Sequence, residues 1–192
     1  MKDRVPNILT ASRIVLLLPF VTLFFMQGRS LKWIALGIYV ICAVTDFFDG
    51  YLARSWDKTS SLGRFLDPIA DKILVSVTIV LLVSTHKICG LNVIAALIIL
   101  AREIFISGLR EFLSEHNVRM PSTYFAQVKT TAQLIALGFL IVSVDCSPFD
   151  IELVTVNQWS HLIGTTLLWI AAVVSVLTGL QYWVAAKPHF KL

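Results

Sequence analysis

Two pairs of aspartates in the first half of the chain are spaced as metal ligands on helices would be. Asp46 and Asp49 are three residues apart, and Asp67 and Asp71 are four residues apart. On a helix, each spacing brings two carboxylates to one face. Four acids close together would repel one another unless some of them protonate or cations enter. Because oxygen donors favour hard divalent ions such as Mg²⁺ or Mn²⁺, the pattern predicts a cation site.

Small residues and an arginine accompany the first aspartate pair. Gly50 and Ala53 fall on the same helical stripe as Asp46 and Asp49, since a helix turns about 100° per residue. They remove side-chain bulk beside the carboxylates, so a planar base or a phosphate could approach the backbone. Arg54 follows directly and would supply a cation for a phosphate oxygen.

Structural alternatives exist for single members of this pattern. Asp67 precedes Pro68, which is typical of a helix N-cap followed by proline in the first turn. Gly50 and Ala53 could serve helix packing, and Arg54 could mark the membrane surface. These alternatives account for individual residues but not for their joint spacing.

The elements that would hold these residues are predicted to be membrane helices. The 192 residues are 57% hydrophobic and 15% charged, whereas soluble domains average about 25% charged residues. The mean hydropathy is +0.80. Six apolar segments approach the roughly 20 residues that a spanning helix needs: 8–27, 31–54, 68–85, 91–113, 124–144 and 159–186. We therefore expect an all-α polytopic membrane protein with six transmembrane helices and one domain over 1–192.

The distribution of basic residues predicts the orientation in the membrane. Lys and Arg are frequent near the ends of the predicted helices that lie on the same side of the membrane as the N-terminus. The connections on the opposite side carry Arg29, Lys32 and Lys87. Residues 145–158 contain three acids and no Lys or Arg. The positive-inside rule thus places both termini in the cytoplasm. The net charge of +4 suits anionic lipid headgroups, and no motif suggests a nucleic-acid partner.

Cysteine and histidine do not add a second metal site to this prediction. Cys42, Cys89 and Cys146 are odd in number and lack metal-ligand spacing. We therefore expect neither a disulfide framework nor a zinc site. The four histidines show no spacing that suggests catalysis.

Three basic residues lie inside otherwise apolar segments of the second half. Arg102 is near the middle of the fourth predicted helix, Arg110 is eight residues later, and Lys129 lies about one turn into the fifth. A buried cation needs an anionic partner. Two alternatives stay open: an ion-pair scaffold with Glu103 and Glu111, or a pocket for a phosphomonoester dianion, which Arg forks suit.

The last predicted helix carries a ridge of small residues. Ala171, Ser175 and Gly179 follow one another at four-residue spacing, which lets another helix approach closely. Packing within one subunit and a dimer contact both remain open for this ridge.

The aspartate stretch resembles a family signature. The pattern D-x2-D-G-x2-A-R-x8-G-x3-D-x3-D is similar to that of the CDP-alcohol phosphotransferases. Its fixed positions are filled here by Asp46, Asp49, Gly50, Ala53, Arg54, Gly63, Asp67 and Asp71. The resemblance covers essentially the whole chain and implies the six-helix fold of that family.

The resemblance also implies site roles and a two-metal mechanism. The four aspartates would hold two divalent ions, Mg²⁺ or Mn²⁺, and Asp71 would act as general base on the acceptor hydroxyl. That hydroxyl would attack the phosphorus bearing the lipid, and CMP would leave. The implied contacts to the CDP-linked donor are Gly50, Ala53, Arg54, Ser60, Asn7 and Thr10. For Asn7 and Thr10, capping of the first helix is the alternative.

Two further stretches, 101–111 and 128–133, look like the phosphatidylglycerophosphate synthase branch of this family. That branch implies CDP-diacylglycerol as donor and sn-glycerol 3-phosphate as acceptor, with Arg102, Arg110 and Lys129 binding the acceptor phosphate. It implies phosphatidylglycerol phosphate and CMP as products, a place in the bacterial inner membrane and a homodimer. Residues 119–123 follow no clear family pattern, so the details of the acceptor loop stay open.

Two other functions remain as alternatives. A sister enzyme with another acceptor, such as inositol phosphate, would share the aspartate cluster. A divalent-metal transporter would also carry intramembrane acids. Transporters usually place their sites near the midplane, whereas these aspartates cluster toward one predicted membrane face, which argues against transport.

Overall fold

Most of the described residues fold into six helices. The structure is a computed structural model that describes residues 5–26, 28–56, 61–115, 124–143 and 156–187. These residues form α1 (Val5–Phe25), α2 (Arg29–Trp56), α3 (Ser61–Ser84), α4 (Asn92–Glu115), α5 (Tyr124–Val142) and α6 (Val156–Ala186). Within those ranges no strand occurs. The predicted all-α class and the order of six helices are confirmed.

The start of α3 differs most from the prediction. The apolar run suggested a helix beginning at Pro68, but α3 begins at Ser61 and continues through the proline. Hydropathy marks only the apolar part of a helix, so the polar turns that precede it escape a search for membrane segments. Because Asp67 lies well inside α3, its alternative role as an N-cap is wrong.

The chain packs as two compact units, Met1–Thr85 and His86–Leu192. In the first unit, α1 packs against both α2 and α3. Phe20 of α1 is buried and its ring centroid lies 6.2 Å from that of Tyr39 in α2, in a stacked arrangement. Such aromatic contacts add to the burial of apolar surface and fix α2 against α1.

In the second unit, α6 packs against both α4 and α5. The tightest approach is at Gly164, where a Cβ would lie 2.8 Å from Leu140 Cγ and 3.3 Å from the carbonyl oxygen of Ala136. Only glycine leaves room for α5 at this distance. The sequence search for small residues did not single out this position.

The small-residue ridge of α6 serves packing inside the chain. Ala171 and Ser175 are fully buried, and a Cβ at Gly179 would lie 3.5 Å from Arg102 Cγ in α4. Packing within one subunit therefore accounts for Ala171 and Ser175, whereas Gly179 stays partly exposed beside Arg102.

The turn between α3 and α4 is tied to the end of α5. Lys87 is buried, and its Nζ donates to the carbonyl oxygens of Ser143 at 3.0 Å and Leu140 at 3.4 Å, and also to that of Ile141. The last carbonyls of a helix lack partners within it, so this ammonium caps α5 and complements the negative end of its dipole. Gly90 completes the turn with a left-handed φ of 55°, which costs glycine little.

A disulfide in the same turn corrects the cysteine prediction. Cys89 is disulfide-bonded, whereas Cys42 is a free, buried thiol. The expectation that the cysteines form no disulfide is therefore wrong for Cys89. An odd number of cysteines excludes the pairing of all three, but it does not exclude a single disulfide. Cys146 lies outside the described residues.

Two helices are long and apolar enough to cross a membrane. The qualifying stretches are Asn92–Ser114 of α4 and Gln158–Ala186 of α6. Shorter apolar stretches occur in the described parts of the other four helices: Val15–Phe25, Ser30–Thr45, Lys72–Ser84 and Gln127–Val142.

Candidate active site

The helices place each predicted aspartate pair on a single element. Asp46 and Asp49 both belong to α2, and Asp67 and Asp71 both belong to α3. The prediction required that the third helix include both of its aspartates, and this is confirmed. The four side chains lie outside the described part of the structure, so their convergence on cations stays a prediction.

The predicted donor contacts lie on the same two helices and on α1. Gly50, Ala53 and Arg54 continue α2 beyond the aspartates, and their side chains too are outside the described part. Ser60 falls in the undescribed connection between α2 and α3. The donor site itself therefore remains a prediction.

Asn7 and Thr10 lie inside α1 rather than at its end. The helix begins at Val5, and an N-cap residue directly precedes the first helical residue. The capping alternative is thus wrong for both. Their proposed contact with the nucleotide remains a prediction, because their side chains are not described.

One turn further along α1 lies a buried cation that the sequence analysis missed. The side chain of Arg13 is only 4% exposed, and its charge interacts with the Cys42 thiol of α2. Cys42 comes four residues before Asp46, so Arg13 meets α2 about one turn from the aspartates. A cation inside an apolar segment, the signal that drew attention to Arg102, was also present here.

In the second unit, one carboxylate joins two of the three predicted acceptor cations. Lys129 of α5 is buried and its Nζ forms an ion pair with Glu103 Oε1 of α4. Arg102 Nη1 lies 3.6 Å from the same oxygen. Of the two alternatives, the ion-pair scaffold is present for both cations at Glu103, and the phosphate pocket stays a prediction. Glu111 is exposed and makes no ion pair with the described residues.

Arg110 is held differently, by a neutral aromatic side chain. Its Nη2 donates to Tyr182 Oη of α6 at 3.1 Å, and its Cζ lies 5.2 Å from the centroid of that ring. Among the described residues, no carboxylate forms a salt bridge with Arg110. Its positive charge is therefore available to an anionic ligand.

Tyr182 and Thr178 form one face of α6 toward both arginines. Arg102 Nη2 donates to Thr178 Oγ1 at 3.2 Å, and Arg102 Cζ lies 6.0 Å from the Tyr182 ring centroid. The two α6 residues are four apart, one helical turn. Neither residue was among the predicted site residues, although a hydroxyl pair at this spacing in an apolar helix is a visible signal.

Several buried polar atoms beside these cations retain hydrogen-bonding capacity. Within the described residues, Arg102 Nε, Gln133 Oε1 and Ser175 Oγ have no hydrogen-bond partner. Gln133 follows Lys129 by one turn of α5, and Ser175 precedes Thr178 by three residues of α6. An unsatisfied buried polar atom costs about 1–3 kcal/mol, so the interior of this unit suits a polar ligand or ordered water.

The formal charges of this cluster favour an anion. Arg102 and Lys129 share the carboxylate of Glu103, whereas no described carboxylate forms a salt bridge with Arg110. Arg110 therefore adds a positive charge that the described carboxylates do not neutralise. A phosphomonoester carries about two negative charges near neutral pH, and guanidinium groups bind its oxygens in a forked geometry.

Comparison with known proteins decides the family. A family model described as CDP-alcohol phosphatidyltransferase matches residues 3–185. The chain belongs to that family. The match extends across both units and contains all the predicted site residues, from Asn7 to Lys129.

Curated relatives are similar to the chain over nearly their full length. A protein of Rickettsia bellii is 36% identical over 188 residues, covering 98% of each chain. One from Shigella flexneri serotype 5b is 37% identical over 189 residues, and one from Salmonella paratyphi A is 36% identical over 189 residues, each covering 97% of both chains. All three relatives are named CDP-diacylglycerol–glycerol-3-phosphate 3-phosphatidyltransferase.

Proposed function

We propose that this member of the CDP-alcohol phosphatidyltransferase family transfers the phosphatidyl group of CDP-diacylglycerol to sn-glycerol 3-phosphate. The products are phosphatidylglycerol phosphate and CMP. The observation that supports this acceptor most directly is Arg110, which forms no salt bridge with a described carboxylate and lies on the same helix as Arg102. The shared name of relatives that match nearly the full chain supports the same reaction.

The acceptor phosphate binds to Arg110 first and to the Glu103-linked cations second in this proposal. Arg110 needs to give up no ion pair to receive a phosphate oxygen, whereas Arg102 and Lys129 already share a carboxylate. Choline would be repelled by the positive charge of Arg110. The charge alone does not exclude inositol phosphate, which carries the same phosphomonoester, but the names of the relatives favour glycerol 3-phosphate.

Two divalent cations, Mg²⁺ or Mn²⁺, fit the donor set of Asp46, Asp49, Asp67 and Asp71. All four ligands are hard oxygens, and α2 and α3 each contain one complete pair. When bound, the cations supply positive charge opposite the donor diphosphate.

The chain's own residues carry the transfer. Asp71 takes the proton of the acceptor hydroxyl, whose oxygen forms a bond to the phosphorus bearing the lipid. The bond between that phosphorus and the bridging oxygen breaks, and CMP leaves with the electron pair. The remaining donor contacts in this proposal are Asn7, Thr10, Gly50, Ala53, Arg54 and Ser60.

All six helices span the membrane in this proposal, and both termini lie in the cytoplasm of a bacterial inner membrane. The helices have 19 to 31 residues, and a spanning helix needs about 20. The disulfide at Cys89 supports an oxidising environment for the turn after α3. Asp67 and Asp71 lie toward the opposite end of α3, which supports an active site on the cytoplasmic side.

A homodimer is part of the proposal on the strength of the family resemblance. Ala171 and Ser175 of the α6 ridge do not provide its contact, since both are fully buried within the chain. Chemical cross-linking of the protein in native membranes would reveal a band of twice the monomer mass. A monomer alone would end this part of the proposal.

A panel of acceptors tests the proposed reaction. The purified protein is mixed with CDP-diacylglycerol and Mg²⁺ in detergent micelles, and CMP release is followed for each acceptor. We expect release with sn-glycerol 3-phosphate, little with inositol phosphate, serine or choline, and none with EDTA. Preference for inositol phosphate would assign a sister activity, and turnover in EDTA would contradict the metal requirement.

A further inference from the structure

Tyr182 occupies an unusual place for a tyrosine in an apolar helix. Its side chain is 5% exposed and belongs to a buried cluster with Ile106, Leu109, Leu113 and Ala186. Its hydroxyl nevertheless meets the guanidinium of Arg110. The apolar cluster fixes the ring, and the ring fixes the arginine. We infer that Tyr182 is a positioning residue that holds Arg110 for the acceptor phosphate, an inference that rests on the proposed function.

Two contacts define the orientation of Arg110. The hydrogen bond from Nη2 to Tyr182 Oη, at 3.1 Å, uses one of the five guanidinium donors. The ring face, 5.2 Å from Cζ, adds a cation–π contact. Together they leave most of the donors of Arg110 for phosphate oxygens while restricting the rotamers of a long side chain. Because the Arg110 side chain is already ordered, phosphate binding costs less side-chain conformational entropy.

The neutrality of Tyr182 is the central point. A carboxylate would hold Arg110 equally well but would cancel the charge that the acceptor needs, as Glu103 partly does for Lys129. Glu111 is adjacent in sequence to Arg110, yet it is exposed and unpaired among the described residues. A phenol and a π-face hold the cation without neutralising it. This is the arrangement expected of a side chain that binds an anion rather than one that serves only packing.

The Tyr182 ring of α6 contacts Arg102 less closely than it contacts Arg110. Arg102 is farther from the ring, at 6.0 Å, and is held by Thr178 and by Glu103. Loss of the Tyr182 hydroxyl should therefore affect Arg110 far more than Arg102. This difference allows the role of the hydroxyl to be separated from general damage to the cluster.

The test compares Y182F with W183F. Y182F removes the hydroxyl and keeps the ring in its apolar cluster. Trp183 is the next residue of α6 but is half-exposed, and its ring contacts Phe105 at 5.7 Å between centroids. We expect Y182F to raise the KM for glycerol 3-phosphate roughly 10- to 150-fold, the effect of one hydrogen bond to a charged group. The kcat and the KM for CDP-diacylglycerol should stay within about twofold of wild type, and W183F should match wild type.

A double-mutant cycle with R110A distinguishes positioning from an independent role. If the hydroxyl acts through Arg110, adding Y182F to R110A should leave the already raised KM unchanged. If the KM of the double variant rose by the product of the two single-variant fold-increases, the inference would be overturned. A normal KM in Y182F, with a raised KM in R110A, would also overturn it but leave the proposed function standing. A normal KM in R110A would instead contradict the acceptor site itself. Because KM does not depend on the amount of folded enzyme, reduced yield of Y182F leaves each outcome readable.

Discussion

Lys129 and Glu103, which are 26 residues apart in the chain, form an ion pair between α5 and α4. The Lys129 side chain is 2% exposed, and Glu103 stabilises its charge in the interior. Breaking a buried pair on one side is costly because it leaves the other charge unpaired. The pair therefore matters for the fold as well as for the acceptor site.

This relationship predicts an asymmetry between single and double substitutions. Glu103→Gln should lower the free energy of unfolding, since it removes the carboxylate that pairs with the buried Lys129 ammonium and breaking one side of a buried pair is destabilising. Adding Lys129→Met should recover part of that loss. Thermal unfolding in detergent, followed by intrinsic fluorescence, measures both. Equal unfolding midpoints for the wild type and Glu103→Gln would show that the pair contributes nothing to stability.

The close approach of α5 and α6 predicts a strict requirement for glycine at position 164. Gly164→Ala would place a Cβ 2.8 Å from Leu140 Cγ, and such overpacking costs about 1–3 kcal/mol. Gly37→Ala is the matched control, because nothing lies within 4 Å of a Cβ at that helical position. We expect a lower unfolding midpoint for the first variant only. Equal midpoints would mean that α5 yields easily at this contact.

The disulfide at Cys89 predicts the sidedness of the turn between α3 and α4. In intact cells, a membrane-impermeant maleimide should label Cys89 only after treatment with an impermeant reductant. Cys42 is free but buried, so it should stay unlabelled in both conditions. In Cys89→Ser this disulfide cannot form, so the reductant should no longer increase the labelling. Labelling that requires permeabilised cells would place this turn in the cytoplasm and reverse the proposed orientation.

Hydropathy was sufficient to predict the six helices but not where their polar ends begin. The apolar runs predicted α4 and α6 nearly to their ends, since both helices are apolar along almost their whole length. The start of α3 was missed because hydrogen bonding extends the helix through polar turns to Ser61. The predicted start of this helix at Pro68 was wrong for the same reason, because the apolar run begins there.

The site was predictable as a set of residue types and not as a set of contacts. The aspartate spacing predicted one pair of aspartates on each of two helices, and α2 and α3 each contain one pair. The sequence also named Glu103 as a partner for the inner cations, because it is adjacent to Arg102. It could not find Tyr182, since the contact between Arg110 and Tyr182 spans 72 residues and depends on how α4 packs against α6. Periodicity describes each helix alone and does not specify which helices meet.

The most direct test of the whole account is CMP release by Asp71→Asn, with Asp57→Asn as the control. Asp57 lies in the same region of the chain but outside the family signature. With saturating CDP-diacylglycerol, glycerol 3-phosphate and Mg²⁺, we expect Asp71→Asn to lose about 10²–10⁴ in kcat, the usual contribution of a general base. Asp57→Asn should turn over normally. Undiminished CMP release by Asp71→Asn would contradict the proposed chemistry at the aspartate cluster.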